Sequence, residues 1–489
     1  MKKQSISLFI LFVAAVMFTA CVSLSSGSGN NTITLTVGAS ENIAGRVKHE
    51  GNFSWTSSDE AVVKVDQDGT ITALRFTNPA AGTGTAQITA YNASGVRAAV
   101  FTVNTTMAGQ VDMMTLPPMK EQFSEYFLIG NIFHNGRNRG DEGIPSDVPP
   151  GSTTVANERL IRHYNILTPE DEMKPASLCD SNTPGKYNQR GIDVAKRMVD
   201  AAINSGFKVV GHTLIWHSQI PLWQQNIRTD KTSKEEALKY MEDFVTDIVT
   251  EFKGKIYSWD IMNEVFPDGG FNPTSNWRDV MRKDTRGNPW YMKIGSDFVY
   301  RAYLAARNAD PDAILYYNDY NLDQTGKARM VRDMVRDVNE QYKKEHGGTR
   351  LLIEGIGMQS HHNTGVTSAS ISSTINLFRQ LGVRISISEL DILSQTYGQY
   401  SSNPAHSTTL ESTATYQGKI EAARLFGEYF QVFLRNADII ERVTFWGVCD
   451  DQSWRAKGLP LLFEGTPVSR AKPGYYKMIE ALNQRQNAE

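Results

Sequence analysis

The chain has 489 residues, 40% hydrophobic and 21% charged, the proportions of a globular protein with room for one large domain and a small one. Fifty Lys and Arg stand against 53 Asp and Glu for a net charge of −3, which excludes a basic field able to hold nucleic acid. Aromatic residues reach 10%, with 8 Trp and 19 Tyr, an amount that a filled core explains as well as sugar-stacking faces do.

Lys2 and Lys3 precede an uncharged apolar run over 6–20 that ends in Phe18-Thr19-Ala20-Cys21. A positive start, a short apolar centre and small residues at the cut describe a secretory signal; the run is short and wrongly flanked for a membrane span. The Ala20-Cys21 junction resembles the cleavage box of bacterial lipoproteins, with Phe18 where Leu is commoner. That resemblance implies a signal over 1–21 and Cys21 as the lipidated first residue. The anchor would then sit in a bacterial cell envelope, on the outer membrane, facing the periplasm or outward. A plain signal peptide with an incidental cysteine is the alternative. Cys179 and Cys449 are too far apart for a metal motif or a disulfide framework. They read as buried thiols, with one long-range bridge open to them in an oxidising compartment.

Residues 22–31 are rich in Ser, Gly and Asn and read as a flexible tether. Period-two alternation follows at 33–37, 62–65, 70–73, 86–90 and 98–103, with turns such as Asp68-Gly69 between, which predicts a small β-sandwich over 32–107. Phe53-Ser54-Trp55-Thr56-Ser57-Ser58-Asp59, Val65-Asp66 before Gly69, and Gly84-Thr85-Ala86 before Ile88-Thr89-Ala90 resemble the bacterial immunoglobulin-like group 2 domain. The resemblance implies a spacer or adhesive unit, with Trp55 in the core between two sheets rather than a sugar platform.

From about residue 108 to the end, strands alternate with helix-length runs, the mark of βα units and a parallel sheet. Eight strands are predicted, at 126–130, 164–167, 208–214, 256–261, 313–317, 353–359, 384–388 and 443–446, with amphipathic helices such as 194–204, 234–252, 294–309 and 422–435. Eight repeats predict an α/β fold of the (β/α)8 TIM-barrel class, whose chemistry sits just past the C-terminal strand ends.

Two of those ends carry glutamates. Trp259-Asp260-Ile261-Met262-Asn263-Glu264 closes strand four and Ile385-Ser386-Ile387-Ser388-Glu389-Leu390-Asp391 closes strand seven. Strands four and seven face one another across the barrel mouth, so both carboxyl groups can enter one cleft, as glycoside hydrolysis requires. One must be protonated to serve the leaving oxygen and the other ionised to attack the anomeric carbon. Burial after an apolar strand, close to a negative partner, predicts a raised pKa for Glu264 and hence the acid role. A neighbour such as His361 would keep Glu389 ionised. A lone strand-end glutamate is more often a solvated or salt-bridged carboxylate; two at these strand ends shift the balance toward a site.

The barrel also carries Gly211-His212-Thr213-Leu214-Ile215-Trp216-His217-Ser218-Gln219, Asn318-Asp319-Tyr320-Asn321, Gly357-Met358-Gln359-Ser360-His361, and Trp446-Gly447 with Asp450 and Ser453-Trp454. Together these resemble glycoside hydrolase family 10, the xylanase family, over about 122–481. The resemblance implies a retaining endo-1,4-β-xylanase with Glu264 as acid/base and Glu389 as nucleophile. It further implies that Asn263 bonds the 2-hydroxyl of the sugar at subsite −1, with His212, Trp216 and Gln359 around it. His361 would stand between Glu389 and Asp391. Lys174 and Gln219 would bind the −2 sugar, Glu170 would also bind substrate, and Trp446 and Trp454 would wall subsites −1 and −2. His217 and His362 are read as structural.

The sequence departs from the family where Glu170-Asp171-Glu172-Met173-Lys174-Pro175 puts Asp171 for an amide and Pro175 for a tryptophan, and the loop over 135–154 is long. The histidines lack metal-ligand spacing, so neither metal nor cofactor is expected. The expected partners are xylan and xylo-oligosaccharides, bound by a monomer whose only membrane contact is its lipid anchor. Two alternatives stay open at this point: another retaining barrel glycanase such as a cellulase or mannanase, and a non-catalytic xylan-binding surface lipoprotein.

Overall fold

The computed structural model describes residues 31–36, 39–48, 51–74, 83–106, 111–136, 146–283, 287–395, 414, 416–465 and 468–488. The expected signal, Cys21 and the tether up to residue 30 lie outside them. The chain divides into two compact units, one of Met1–Leu116, Leu393–Glu428 and Cys449–Glu489, the other of Pro117–Ile392 and Tyr429–Val448.

Among the described residues of the first unit, seven strands form two sheets: β1 (Thr32–Thr36), β2 (Ser40–Asn42), β3 (Ser54–Ser57), β4 (Val63–Val65), β5 (Thr70–Ala73), β6 (Thr83–Tyr91) and β7 (Arg97–Thr106). The sheet orders are β1-β7-β6-β3 and β2-β5-β4. Alternation turns Ile33, Leu35, Val63, Ile71, Ala73, Ile88, Phe101 and Val103 into one core, and Trp55 packs half-buried against it. Gly69 takes the left-handed conformation at φ +82° beneath that indole, where a Cβ would lie 2.8 Å from the ring. β2 and β3 escape the alternation pattern because their outward residues are exposed and the strands are only three and four residues long.

In the second unit β8 (Leu128–Phe133), β9 (Ile166–Pro169), β10 (Lys208–Ile215), β11 (Ser258–Asn263), β12 (Ile314–Asp319), β13 (Gly355–Met358), β15 (Arg384–Leu393) and β16 (Ile440–Phe445) pair in parallel; β14 (His361–Asn363) is a short extra strand. The β13–β15 and β16–β8 pairings close the ring. The fold is therefore an eight-stranded parallel (β/α)8 barrel preceded by a small all-β sandwich. Every residue of β11 is buried, as befits a parallel strand covered on both faces. Between strands, helices such as Gln189–Asn204 bury one stripe (Ile192, Ala195, Met198, Val199, Ala202), and Lys234–Glu251 starts at a Ser233/Glu236 capping box. Strands β11 and β12 run past their predicted ends because polar Asn263, Asn318 and Asp319 stay in register and turn inward. Neither described cysteine forms a disulfide: Cys179 is buried, and Cys449 donates its thiol to Asp451 Oδ1 at 3.1 Å.

Candidate active site

The polar residues gather at the C-terminal ends of the barrel strands. Glu264 follows β11, and its N–H donates to the Asn318 carbonyl of β12 at 2.9 Å. Glu389 lies within β15, and its N–H donates to the Gln359 carbonyl at 2.9 Å. Gln219, Glu264, Asn321 and Ser360, each on a loop after a strand, all hold left-handed backbone angles, with φ from 46° to 61°. Non-glycine residues in that region are costly and collect where a site demands them.

Three side-chain amides join the two carboxylates. Gln359 Nε2 donates to Glu264 Oε1 at 2.8 Å and lies 3.1 Å from Asn263 Oδ1. Asn318 Nδ2 donates to the same Asn263 oxygen at 3.0 Å and to Glu389 Oε1 at 2.7 Å. Ser388 Oγ donates to Asn318 Oδ1 at 2.6 Å, which fixes the sense of that amide. Turning the Asn263 amide, so that its oxygen took the Trp216 N–H at 3.2 Å, would set NH2 against the NH2 of Asn318. The Asn318 NH2 cannot reverse while Glu389 and Ser388 hold it. Asn263 therefore keeps its oxygen inward and its NH2 available to donate.

Glu389 Oε2 meets His361 Nε2 at 3.0 Å, and His361 Nδ1 meets Asp391 Oδ2 at 2.8 Å. Burial pushes this imidazole down, but Asp391 and then Glu389 overcome it and hold it up to about 9. A cation thus stands between two carboxylates. The Trp446 ring packs edge-on against both His361 and His212, and His212 Nδ1 is held by Asp260 Oδ2 at 3.0 Å.

Glu264 Oε2 accepts the Trp216 indole N–H at 2.8 Å and lies 4.0 Å from His217 Nδ1. Burial pushes Glu264 up and is the largest single influence, but His217, the Gln359 and Trp216 donors and Arg282 together hold it below the ordinary carboxylate value. The raised pKa expected from the sequence is thus overturned: desolvation was anticipated, the N–H donors and cations were not. His217 is itself driven down to about 4 by burial, so at neutral pH its charge is gone and that part of the depression with it. His217, read from the sequence as merely structural, stands against the carboxyl of Glu264.

To one side of Trp216, Lys174 Nζ reaches Asp171 Oδ1 at 2.9 Å and Gln219 Oε1 at 2.7 Å, while Gln219 Nε2 donates to Asp171 Oδ1 at 2.7 Å. The ammonium lies 5.2 Å from the Trp216 ring centroid. Asp171 thus closes a ring of three partners that an amide would leave more open. Pro175 starts the helix Pro175–Leu178, and Glu170 is buried with its N–H on the Phe133 carbonyl. Trp454 belongs to the other unit, 37% exposed, with the Arg455 guanidinium 5.5 Å from its ring centroid. Of the long loop over 135–154, residues 137–145 lie outside the described residues. Among the described residues no group of three His, Cys, Asp or Glu is placed to hold a metal.

Sequence reasoning missed Asn318, Asp260 and Arg282 as members of this site. Asn318 and Asp260 sat inside motifs already quoted, Asn318 one residue in from the end of β12 and Asp260 three residues in from the end of β11; Arg282 had no pattern around it.

The sequence profile described as glycosyl hydrolase family 10 matches residues 120–481. The chain belongs to that family. Among its family 10 relatives is endo-1,4-beta-xylanase A of Thermotoga maritima, 33% identical over 369 residues, 74% of this chain and 31% of that protein. The chain thus spans under a third of that relative's length. The endo-1,4-beta-xylanase of Geobacillus stearothermophilus is 30% identical over 374 residues, 75% of this chain and 98% of that protein. A crystal structure of a bacterial Ig-like domain-containing family 10 xylanase from termite gut superposes with a TM-score of 0.76 at 45% identity, over 94% of this chain and 99% of that one.

Proposed function

We propose that the chain is a retaining endo-1,4-β-xylanase. One observation carries the reading: a single amide network joins Glu264 and Glu389, yet each has surroundings of a different kind. Glu389 meets His361 Nε2 and accepts from Asn318 Nδ2, two partners that hold its carboxyl in place for attack as a nucleophile. Glu264 gives its proton to the leaving oxygen as Glu389 attacks the anomeric carbon, forming a glycosyl-enzyme. It then takes a proton from the water that attacks that ester, restoring both groups. Seating a glycan removes water from Glu264 and adds to the burial that already pushes it toward the acid form.

In the same reading the Asn263 NH2 donates to the 2-hydroxyl at subsite −1, between His212, Trp216, Gln359 and Trp446. Lys174 and Gln219 serve subsite −2, and Glu170 also binds substrate. Similarity to named xylanases of the family favours xylan over cellulose or mannan. The apolar run over 6–20 ending in Ala20-Cys21 supports secretion with a lipid anchor on Cys21, in a bacterial envelope.

Reducing-sugar release from xylan, mannan and carboxymethyl cellulose tests the assignment. Xylan should release products fastest, as a ladder of xylo-oligosaccharides. Binding of xylan without release of any product, or faster cleavage of mannan or cellulose, would overturn it.

A further inference from the structure

We propose that Arg282 is a positioning residue for Glu264, holding the main chain of the proton donor in the one conformation that presents its carboxyl to the leaving oxygen. The inference rests on the acid role of Glu264 and adds to it.

Glu264 has φ +54°, a conformation an L-residue leaves unless neighbours hold it. Arg282 grips two successive peptides, Glu264–Val265 and Val265–Phe266. Its Nε donates to the Glu264 carbonyl at 3.0 Å, and its own N–H donates to the Val265 carbonyl at 2.9 Å. The Tyr317 hydroxyl accepts the Val265 N–H at 3.2 Å. The grip is itself braced. Arg282 Nη2 bonds the Tyr320 hydroxyl and lies 3.7 Å from Asp268 Oδ1. The Tyr320 ring in turn lies 3.8 Å from Lys327 Nζ, a fully buried ammonium paired with Asp319 at 2.7 Å.

A guanidinium with 14% of its side chain exposed has given up most of its hydration. Its bonds go to the acid's own peptide and to the tyrosine beside it. The Glu264 carboxyl is otherwise directed by the N–H donors of Gln359 and Trp216, each on a loop just past another strand. Those donors fix where the oxygens rest but not the backbone they hang from. Released from Arg282, the chain can relax out of the left-handed region and swing the proton away from the glycosidic oxygen. Glu389, held by Asn318 and His361, is untouched by that change.

The signature is therefore dependence on the leaving group. Displacing a sugar needs the proton; displacing dinitrophenolate does not. In Arg282→Met, kcat/KM on xylohexaose should fall about 10²-fold, the cost of a misplaced reacting group, while 2,4-dinitrophenyl β-xylobioside changes by less than about threefold. Arg282→Lys, with a single-point donor in place of the fork, should recover part of the loss. Retained turnover of the aryl substrate also reports that the variant is folded; if the Met variant does not fold, the Lys variant reads the same ratio. Equal losses on both substrates, or none on either, would overturn the inference. Glu264→Ala measured in parallel separates the two claims. Should it lack leaving-group dependence, the acid assignment falls; should it show the dependence and Arg282→Met not, only the positioning role does.

Discussion

The His361 cation lends itself to a worked pH prediction. Its imidazole is held up to about 9 against an ordinary 6.5, because Asp391 and Glu389 outweigh the effect of burial. Below pH 6.5 the folded and unfolded chains both carry this proton, and its stabilisation is complete. Between 6.5 and 9 the unfolded chain releases it while the folded chain keeps it, so stability falls as pH rises. Above 9 the contribution is lost. At ~1.4 kcal/mol per unit, the interval amounts to about 3 kcal/mol. Urea unfolding between about pH 6 and about pH 10 measures it, with Asp391→Asn as the comparator because Asp391 is the strongest influence raising His361. Groups elsewhere titrate alike in both proteins and cancel. The unaltered chain should lose on the order of 2 kcal/mol more than the variant across the window. Parallel stability curves would refute the reasoning.

Two further outcomes are expected. Asn318→Ala removes the donor shared by Asn263 and Glu389, and kcat/KM on xylan should fall by about 10²–10³, as for other lost donors in charge-stabilising sites; a loss under about tenfold would contradict the bridging role. Gly211→Ala would place a Cβ 2.2 Å from the fully buried Trp259 ring, so thermal unfolding should show a loss of about 1–3 kcal/mol, and an unchanged Tm would argue against that packing.

What the sequence could reveal depended on whether a residue's role was local. Alternation of period two and the eight-fold strand–helix rhythm exposed the sandwich and the barrel because burial imposes those periods directly. The short, half-exposed β2 and β3 imposed none. Glu264 and Trp446 were legible because each is the first residue past a strand, and His361 because it follows β13 closely; Glu389 was legible because its motif was read as a strand end, although β15 runs on to Leu393. Their electrostatics were not. The pKa of Glu264 depends on Trp216, His217, Gln359 and Arg282, which come from three other chain segments, so an argument from its own strand had the sign reversed. Asp171 appeared to be an isolated departure; only the folded chain shows it locked to Lys174 and Gln219, which lie 3 and 48 residues away.

The central claim is that Glu389 attacks the sugar while Glu264 assists from the other side of the same linkage. A 2-deoxy-2-fluoro xylobioside with a good leaving group tests it most directly, since the fluorine slows breakdown of the covalent ester more than its formation. Intact-mass measurement should show one added fluoroxylobiosyl group, and peptide mapping should place it on Glu389. No adduct, or an adduct on Glu264 or on any other residue, would contradict the account.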